Sequence, residues 1–365
     1  TQFAPVPKSE FEGIDPLQVQ QAPFFQHPIG CGPFMVEEVN MKNYTILAPF
    51  DKYYNGVADF KIQLLPSAGD SDPNVVTRAK SGNLDYGYTK MVADVQALEG
   101  TPGITVTPID VRYTRLFYLN KFDKKDGSPA PLADVRVRQA LRYAIDMETI
   151  CETLFQGSAV PANALAPDAN LKGGDLNDYN YNPEKAKELL AEANWDPNTV
   201  IKAVYYYTDQ ATVDLMTAVQ AYLADVGIKM EFELVEGDLA TILWTAPADQ
   251  TNGPRAVDWD ICYAANAALS LHEYYDRYRT GSPTNSHTPE DAELNRLIDA
   301  TNASADVNAQ NEAFKELIKY ENENLFTMAL YYQPIFLITS DKIGDIQKGT
   351  PQFCINWGIQ NWNVQ

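Results

Sequence analysis

Residues 200–236 read VIKAVYYYTDQATVDLMTAVQAYLADVGIKMEFELVE, and this stretch decides the class of fold. Residues 201–207 are rich in β-branched and aromatic side chains, which is typical of a strand. Apolar residues then recur at helical spacing through 211–226, and Gly227 supplies a residue at which such a helix stops. Residues 228–234 alternate apolar and charged side chains, as a half-exposed strand does. A strand, a helix and a strand at this spacing predict a right-handed βαβ crossover with parallel strands.

Strands and helices continue to alternate on both sides of this unit, so the whole chain is predicted to be α/β. Strands are predicted at 34–39, 44–48, 57–65, 84–88, 104–109, 115–119 and 257–263. Helices are predicted at 72–81, 91–98, 134–155, 182–193, 239–245, 291–300 and 309–323. Asp72, Asp134 and Asn182 stand where N-caps are expected. The apolar run 325–339 is predicted to be extended and is long enough to pass from one domain into another.

The length of 365 residues exceeds what one hydrophobic core usually supports, so two lobes are expected. We predict a connector at 1–27, a first lobe formed by 28–118 with 331–365, and a second lobe at 119–330. No run approaches the roughly 18 consecutive apolar residues of a membrane span. The first residues show no basic region followed by an apolar run, which is the pattern of a signal peptide.

Charge and cysteine content narrow the classes of function. The formal net charge is -21, which disfavours a nucleic-acid partner because phosphate contacts need a basic face. The cysteines are far apart and form no C-x-x-C pair, which disfavours a zinc site. They are Cys31, Cys151, Cys262 and Cys354. A disulfide between Cys31 and Cys354 is one alternative for this set, and small buried apolar side chains are the other.

Signals of an enzyme are weak in this chain. The three histidines are His27, His272 and His287, and none has a second ligand at metal spacing. We predict that His27 and His287 are solvated, because both stand in polar, loop-like surroundings. There is no G-x-S-x-G elbow, and the turn at 30–32 lacks the third glycine of a dinucleotide site. A carboxylate pair of the glycosidase kind stays open, since any acidic chain offers such pairs. We expect no catalysis, no cofactor and no bound metal.

Three motifs, in order along the chain, carry a resemblance to a known family. The turn PIGCGPF at 28–34 is similar to P-[VI]-G-T-G-P-[YF], with Cys31 in place of the threonine. The segment DVRVRQALRYAID at 134–146 is similar to D-x-R-V-R-Q-A-L-x-Y-A-I-D. The segment YNPEKAKELL at 181–190 is similar to Y-[ND]-P-E-K-A-K-x-L-L. Together they resemble the family 5 extracellular solute-binding proteins, which include peptide-binding components of ABC transporters.

The resemblance implies an α/β fold of the periplasmic-binding-protein-like type II, with two lobes joined by hinge strands, here at 118–120 and 330–335. It implies a substrate-binding component of an ABC importer that captures an oligopeptide between the lobes and delivers it to the permease subunits. It places the protein outside the cytoplasm, in the periplasm or as a cell-surface lipoprotein, and as a monomer. Family members carry an N-terminal segment that does not precede Thr1, so we expect a chain that lacks the N-terminal part of the fold.

Ligands of open α/β sheets bind beyond the carboxyl ends of the strands, and two such ends here are rich in polar groups. The resemblance puts both ends in the cleft between the lobes. The candidate ligand-binding residues are Tyr206, Tyr207, Tyr263, Asn266 and Tyr275. Core packing stays the alternative for each tyrosine, because successive residues of a strand face opposite ways. Trp244 is predicted to be a packing anchor.

Dipeptide-binding relatives hold the amino group of the peptide with an aspartate near the position of Asn266. They hold its carboxylate with an arginine near 207–209, and this chain has no arginine there. The resemblance therefore implies a longer peptide or another polar ligand, held by main-chain hydrogen bonds, amides, tyrosines and water. The alternatives are a binding protein for a sugar or a metal chelate, and a peptide-sensing module on the same fold.

Overall fold

In the computed structural model the chain divides into two compact units, here called unit 1 and unit 2. Unit 1 comprises Thr1–Asp110 and Ile335–Gln365, and unit 2 comprises Val111–Pro334. The structure describes residues 6–40, 42–66, 72, 74–109, 113–166, 171–173, 175–267, 272, 275–344, 346 and 358–365.

The described strands and helices are numbered in chain order. The strands are β1 (Phe34–Asn40), β2 (Tyr44–Pro49), β3 (Ile62–Leu64), β4 (Tyr86–Thr89), β5 (Ile104–Ile109), β6 (Tyr113–Leu119), β7 (Val160–Pro161), β8 (Val200–Tyr205), β9 (Lys229–Leu234), β10 (Ile261–Ala267), β11 (Thr327–Tyr332), β12 (Ile335–Ser340), β13 (Ile343–Gly344) and β14 (Asn363–Val364). The helices are α1 (Val75–Lys80), α2 (Val92–Leu98), α3 (Val135–Ala144), α4 (Met147–Thr153), α5 (Pro183–Glu192), α6 (Gln210–Asp225), α7 (Leu239–Trp244), α8 (Ala292–Thr301) and α9 (Val307–Asn324).

The large sheet of unit 2 has the strand order β7-β11-β6-β10-β8-β9. β8 and β9 are parallel, in register from Val200 opposite Lys229 to Tyr205 opposite Leu234, and α6 lies between them in the chain. This confirms the predicted strand–helix–strand unit with parallel strands. β10 is parallel to β8, whereas β6 is antiparallel to both of its neighbours, β10 and β11. Strands β8, β9, β10 and β11 therefore end at one edge of the sheet, called the carboxyl edge below, and β6 begins there.

Apolar side chains cover both faces of this sheet, since successive residues of a strand face opposite ways. One core, core A, is supplied by α3 to α6 and includes Leu141 and Val219. The other, core B, includes Trp259 and Leu317 and is covered by α8 and α9. The sheet is therefore buried on both faces, and its edges are where polar groups can reach a ligand.

The N-caps predicted at two helices are confirmed. A carboxylate oxygen of Asp134 accepts a hydrogen bond from the backbone N–H of Arg136 at 2.9 Å. The side-chain oxygen of Asn182 accepts one from the N–H of Lys185 at 3.0 Å. Each bond satisfies an N–H that the first helical turn leaves without an intrahelical acceptor. Both caps lie in segments that the sequence motifs singled out.

Two predicted elements are shorter or more divided in the structure. The helix predicted at 134–155 is two helices, α3 and α4, because the backbone of Ile145 is extended (φ -100°, ψ 119°). Asp146 then caps α4 by accepting a hydrogen bond from the N–H of Thr149 at 3.0 Å. The strand predicted at 57–65 is confined to the short strand β3.

Two other elements begin later than predicted. Asp72 is not the cap of α1, because its carboxylate accepts the N–H of Asn74 in a turn that precedes the helix. The strand predicted at 257–263 starts only at β10. Before it, the backbone N–H of Asp260 donates to the carbonyl of Lys202, and the carboxylate of Asp260 accepts the N–H of Lys202. Hydrogen bonds from the backbone and the side chain of Asp260 thus take the place of regular strand pairing at this point.

The buried polar residues include one correction. His287 was expected to be solvated, but it is fully buried. Its Nδ1 lies 2.7 Å from the hydroxyl of Thr288, and its ring centroid lies 4.9 Å from that of Tyr118. Tertiary packing, which local polarity does not reveal, explains the difference. His27 is exposed, as expected.

The described cysteines differ in their environments. Cys151 and Cys262 are buried, as the apolar alternative predicted, and Cys31 is exposed. Burial raises the pKa of the Cys151 thiol to about 12, so the thiol stays protonated at neutral pH and is a poor nucleophile. Cys31 is a free thiol, which contradicts the alternative of a disulfide between Cys31 and Cys354; Cys354 itself lies outside the described residues.

Unit 1 contains smaller sheets. β1, β2 and β3 form one antiparallel sheet, and β12 pairs with β4 and β5 in another. Its core includes Val75, Leu98 and Ile338. The extended run predicted at 325–339 is confirmed as β11 and β12, with the boundary between the units at Pro334.

Candidate functional site

The carboxyl edge of the large sheet gathers polar and aromatic side chains from different strands. Tyr206 and Tyr207 follow β8, Asn266 lies near the end of β10, and Tyr331 near the end of β11. Because these strands run the same way, their ends meet at one edge. In the sequence, the division between the two units falls just before β6 and just after β11.

Three tyrosines form a continuous cluster at this edge. The hydroxyl oxygens of Tyr206 and Tyr207 lie 3.1 Å apart, and their ring centroids 4.4 Å apart. The ring of Tyr207 meets that of Tyr263 edge-on, with centroids 5.7 Å apart. Tyr206 and Tyr207 are half-buried, whereas Tyr263 is only 1% exposed. Tyr263 is therefore the buried part of the cluster, and Tyr206 and Tyr207 form the part that is accessible to solvent.

A further tyrosine, Tyr331 of β11, extends the cluster into core A. Its hydroxyl oxygen lies 2.7 Å from that of Tyr263. Burial and the neighbouring Tyr263 raise the pKa of Tyr331 well above its ordinary value, and the charge of Arg115 opposes this. The phenol therefore stays protonated at neutral pH and acts as a neutral hydrogen-bonding group.

Arg115, on β6, is the residue at this edge that sequence reasoning missed. Its Cζ lies 4.3 Å from the ring centroid of Tyr207 and 5.8 Å from that of Tyr263, which is the geometry of a cation–π contact. It is 6% exposed and lies opposite Ala265 of β10 and Tyr331 of β11. A single charge in the apolar strand YTRLFYL was the available signal. Its neighbours depend on strand register, which the sequence alone does not reveal.

A second cation lies beside the end of β11. Lys172 donates a hydrogen bond from Nζ to the hydroxyl of Tyr332 at 2.7 Å and lies 4.3 Å from the centroid of its ring. The same hydroxyl donates to the carbonyl of Ala164 at 2.8 Å. Thr114, at the start of β6, donates to the neighbouring carbonyl of Leu165 at 2.7 Å. These bonds fasten the segment after β7 to the carboxyl edge.

Asn266 supplies an amide at the same edge. It is half-buried and lies opposite Thr114 in the β10–β6 register. An amide offers both an acceptor oxygen and two donor N–H groups, which suits the main chain of a peptide. It carries no charge, unlike the aspartate expected at this place in dipeptide-binding relatives.

The structure places Tyr275 away from this cluster, in core B. It is 1% exposed, and its ring centroid lies 6.1 Å from that of Tyr278 and 6.5 Å from that of Phe314. Trp244 packs on core B, 4.9 Å from the ring of Tyr118, and carries the guanidinium of Arg277 at 4.1 Å. The structure therefore confirms that Trp244 packs against the core.

The chemistry available at the carboxyl edge is that of binding. Phenol, amide and guanidinium groups donate and accept hydrogen bonds and stack on planar groups. In the described ranges, no group of His, Cys, Asp and Glu is arranged to hold a metal ion. The arrangement fits a polar ligand of extended shape that contacts several strand ends at once.

The model of the family described as bacterial extracellular solute-binding proteins, family 5 Middle, matches residues 2–288. The chain belongs to this family. The sequence motifs at 28–34, 134–146 and 181–190 lie within the matched region. Proteins of this family bind substrates for ABC transporters outside the cytoplasm, and the predicted resemblance is thereby confirmed.

Curated relatives bind different ligands according to their names. The chain is 26% identical over 272 residues to the oligopeptide-binding protein AppA of Bacillus subtilis, a match that covers 69% of this chain and 46% of AppA. It is 29% identical over 172 residues to heme-binding protein A of Haemophilus influenzae, covering 47% of this chain and 30% of that protein. The chain thus matches less than half the length of each of these relatives.

Solved structures share the fold. The structure of AppA from Bacillus subtilis in complex with a nonapeptide has a TM-score of 0.76 at 19% identity, covering 99% of this chain and 72% of that chain. NikZ from Campylobacter jejuni in complex with Ni(L-His) has a TM-score of 0.77 at 17% identity, covering 98% and 72%. These matches confirm the predicted α/β fold of the type II periplasmic binding proteins. Among the described helices, none is long and apolar enough to cross a membrane.

Proposed function

We propose that this chain is part of the substrate-binding component of an ABC importer, which captures an oligopeptide and delivers it to the permease subunits. The observation that carries the proposal is the convergence of Tyr206, Tyr207, Asn266 and Arg115 at the carboxyl edge of the large sheet. Ligands of open α/β sheets bind at such an edge. The match to an oligopeptide-binding relative over 69% of this chain supports the same ligand class.

The contacts at this edge favour recognition of the peptide main chain. The half-buried phenols of Tyr206 and Tyr207 and the amide of Asn266 can pair with peptide N–H and carbonyl groups, which every peptide offers regardless of sequence. Asn266 provides no carboxylate to hold a free amino group, so short peptides lose their strongest anchor. We therefore propose a longer peptide as the ligand, with Tyr263 as a support and Tyr275 as a packing residue.

Ligand capture is proposed to involve closure of the two units around the passages between them. The hinge predicted at 118–120 lies inside unit 2, where Tyr118 is 2% exposed and pairs with both β10 and β11. Such a strand cannot bend without breaking two ladders. The hinge is therefore proposed at the passages next to Asp110 and Pro334, where the chain leaves one unit for the other. The closed form would be the one that the permease recognises.

The proposed location is extracytoplasmic, in the periplasm or at the cell surface through a lipid anchor, and the proposed state is a monomer. The family supports the location, since its members bind solutes outside the cytoplasm. An anionic protein with a net charge of -21 stays soluble at high concentration.

The experiment that tests this function is native mass spectrometry of the full-length protein, purified without denaturation. A series of peptide masses in complex with the protein is expected, and the series gives the length range of the ligand. A single non-peptide mass, such as a heme or a metal chelate, would contradict the peptide assignment. Protein that carries no ligand, and that shows no heat on titration with a mixed peptide library, would also contradict it.

A further inference from the structure

Glu321, on α9, is a buried carboxyl group far from the carboxyl edge. It is 2% exposed, and carboxylates are almost never buried to this degree unless they are paired. The backbone N–H of Thr327 donates a hydrogen bond to it. In the part of the chain that the structure describes, its Oε1 has no hydrogen-bond partner. An ionised carboxylate in this position would keep a bare, charged oxygen inside core B.

Two buried cations around the turn that follows α9, Lys121 and Arg138, direct their N–H groups to main-chain carbonyls. Lys121 donates from Nζ to the carbonyl of Leu119 at 2.6 Å and to that of Phe326 at 2.8 Å. Arg138 donates all three of its nitrogens to main-chain carbonyls, at 2.6 to 3.0 Å. Its acceptors are Leu132, Ala133, Asn324 and Leu325. Both cations are therefore satisfied by carbonyl oxygens of the surrounding turns, and neither needs the carboxylate of Glu321.

We propose that Glu321 is held as a neutral carboxylic acid at neutral pH, and that this buried proton makes unit 2 less stable as the pH rises from mildly acidic to mildly alkaline. The neutral form removes the charge that burial disfavours and leaves Lys121 with its carbonyl acceptors. The inference does not depend on the proposed ligand.

The electrostatic setting supports this protonation state. Burial raises the pKa of Glu321 to about 8, while the N–H of Thr327 and the charge of Lys121 act in the opposite direction. Burial and the neighbouring Arg138 lower the pKa of Lys121, but its two carbonyl acceptors favour the ammonium form. Glu321 is therefore the member of this pair that gives up its charge.

The tyrosines, the histidine and the arginine around this site keep their charge states near pH 8. Burial raises the pKa of Tyr179 to about 12 and that of Tyr278 well above its ordinary value. Burial, with Lys121 and Arg277 nearby, lowers the pKa of His287 well below its ordinary value. The pKa of Arg138 is lowered by burial to about 10, so this group keeps its charge at pH 8. The change expected near pH 8 therefore belongs to Glu321.

The position of Glu321 explains why its charge matters for the fold. The chain reverses from α9 into β11 at Leu325, which adopts the left-handed conformation (φ +44°), and its N–H donates to the carbonyl of Glu321 at 2.7 Å. β11 then pairs with β6 along the centre of the sheet. A charge at Glu321 would draw water or a counter-charge into this turn and loosen the start of β11.

The test compares chemical unfolding of the full chain from pH 6 to pH 9.5 for wild type, Glu321→Gln and Glu323→Gln. Glu323 is an exposed carboxylate on the same helix and serves as the control. A carboxyl whose pKa is raised on folding stabilises the fold below its ordinary pKa and loses this contribution as the pH rises through about 8. From pH 6 to about pH 8, where only the folded state holds this proton, the folding equilibrium constant of wild type should fall about tenfold per pH unit relative to Glu321→Gln, and the difference should level off above pH 8.

The results of this test distinguish a neutral Glu321 from an ionised one. Glu323→Gln is expected to follow wild type at every pH, and Glu321→Gln is expected to be at least as stable as wild type at pH 7, because the amide takes up no proton on folding. Equal pH slopes for wild type and Glu321→Gln would overturn the proposal. A large loss of stability at pH 7 in Glu321→Gln would do so too, because it would indicate an ionised carboxylate with a partner.

Infrared difference spectroscopy gives a readout that does not depend on unfolding. At pH 7 the carbonyl stretch of a protonated carboxyl is expected in wild type minus Glu321→Gln, and it should vanish by pH 9.5. The subtraction isolates one group among the 49 acidic residues. Absence of this band at pH 7 in folded protein would overturn the proposal even if stabilities agreed.

Discussion

At the carboxyl edge of the large sheet the polar side chains are mostly neutral and half-buried, whereas at the opposite edge they are charged and paired with one another. The opposite edge, called the ion-paired edge here, comprises Lys202, Arg255, Asp258 and Asp260. Nη1 of Arg255 lies 2.6 Å from the carboxylate of Asp260, and both side chains are at most 4% exposed. Lys202 bridges the exposed Asp258 at 3.1 Å.

The comparison indicates which edge of the sheet contributes to stability and which edge can bind a ligand reversibly. Every group of the ion-paired edge is occupied by a protein partner of opposite charge. At the carboxyl edge, Tyr206, Tyr207 and Asn266 are partly open to solvent and carry no charge. Neutral groups exchange water for a ligand at less cost in desolvation than charged groups do. The carboxyl edge therefore suits reversible binding.

The largest expected effect comes from breaking the buried pair at the ion-paired edge. Asp260→Asn leaves the guanidinium of Arg255 buried without its carboxylate, which should lower the free energy of unfolding by about 3–5 kcal/mol. Urea denaturation measures this. The matched control is Asp258→Asn, whose side chain is 69% exposed and lies 3.5 Å from the same arginine; it should cost less than about 1 kcal/mol. Equal losses in the two variants would contradict the distinction.

A smaller effect, on affinity rather than stability, is expected at the carboxyl edge. Tyr207→Phe keeps the ring on which Arg115 stacks but removes the hydroxyl that the ligand is proposed to contact. The dissociation constant for the peptide found by mass spectrometry should rise about tenfold, which corresponds to about 1.4 kcal/mol. Titration calorimetry measures it. Tyr275→Phe removes the same atom from core B and should leave affinity unchanged; the reverse order would move the site to core B.

The smallest effect is expected from a change of charge at Asn266. Asn266→Asp introduces a carboxylate that can pair with the free amino group of a short peptide, so affinity for di- and tripeptides should rise about threefold to tenfold. The same peptides with an acetylated amino group serve as the control and should gain nothing. A gain in affinity that persists after acetylation would show that the side chain at position 266 does not bind the amino group of the peptide.

Much of the fold could be predicted because its signals are local. The strand–helix–strand unit of β8, α6 and β9 has alternation, helical spacing and a terminating Gly227 within one short stretch. The break between α3 and α4 was not predicted, since the helical apolar spacing runs on through Ile145, where the backbone becomes extended. Caps such as Asp146 compete with helix continuation, and packing decides between them.

The candidate site could be predicted only in part, because its neighbours come from distant strands. Tyr206 and Tyr207 follow a recognisable strand, so their place at a strand end could be read from the sequence. Arg115 precedes them by many residues and meets them only through the register of β6 with β10. The burial of His287 likewise depends on Tyr118 packing against it. Long-range pairing of this kind leaves no periodic pattern in the sequence.

Hydrogen–deuterium exchange of the full-length protein, with and without the bound peptide, tests the central claim most directly. The account predicts that the ligand slows exchange at backbone amides of 206–209 and 265–266, next to the carboxyl edge. Amides of 258–261, at the ion-paired edge, should exchange at unchanged rates. Protection confined to the ion-paired edge, or absent from 206–209 in protein saturated with peptide, would contradict the proposal that the carboxyl edge binds the ligand.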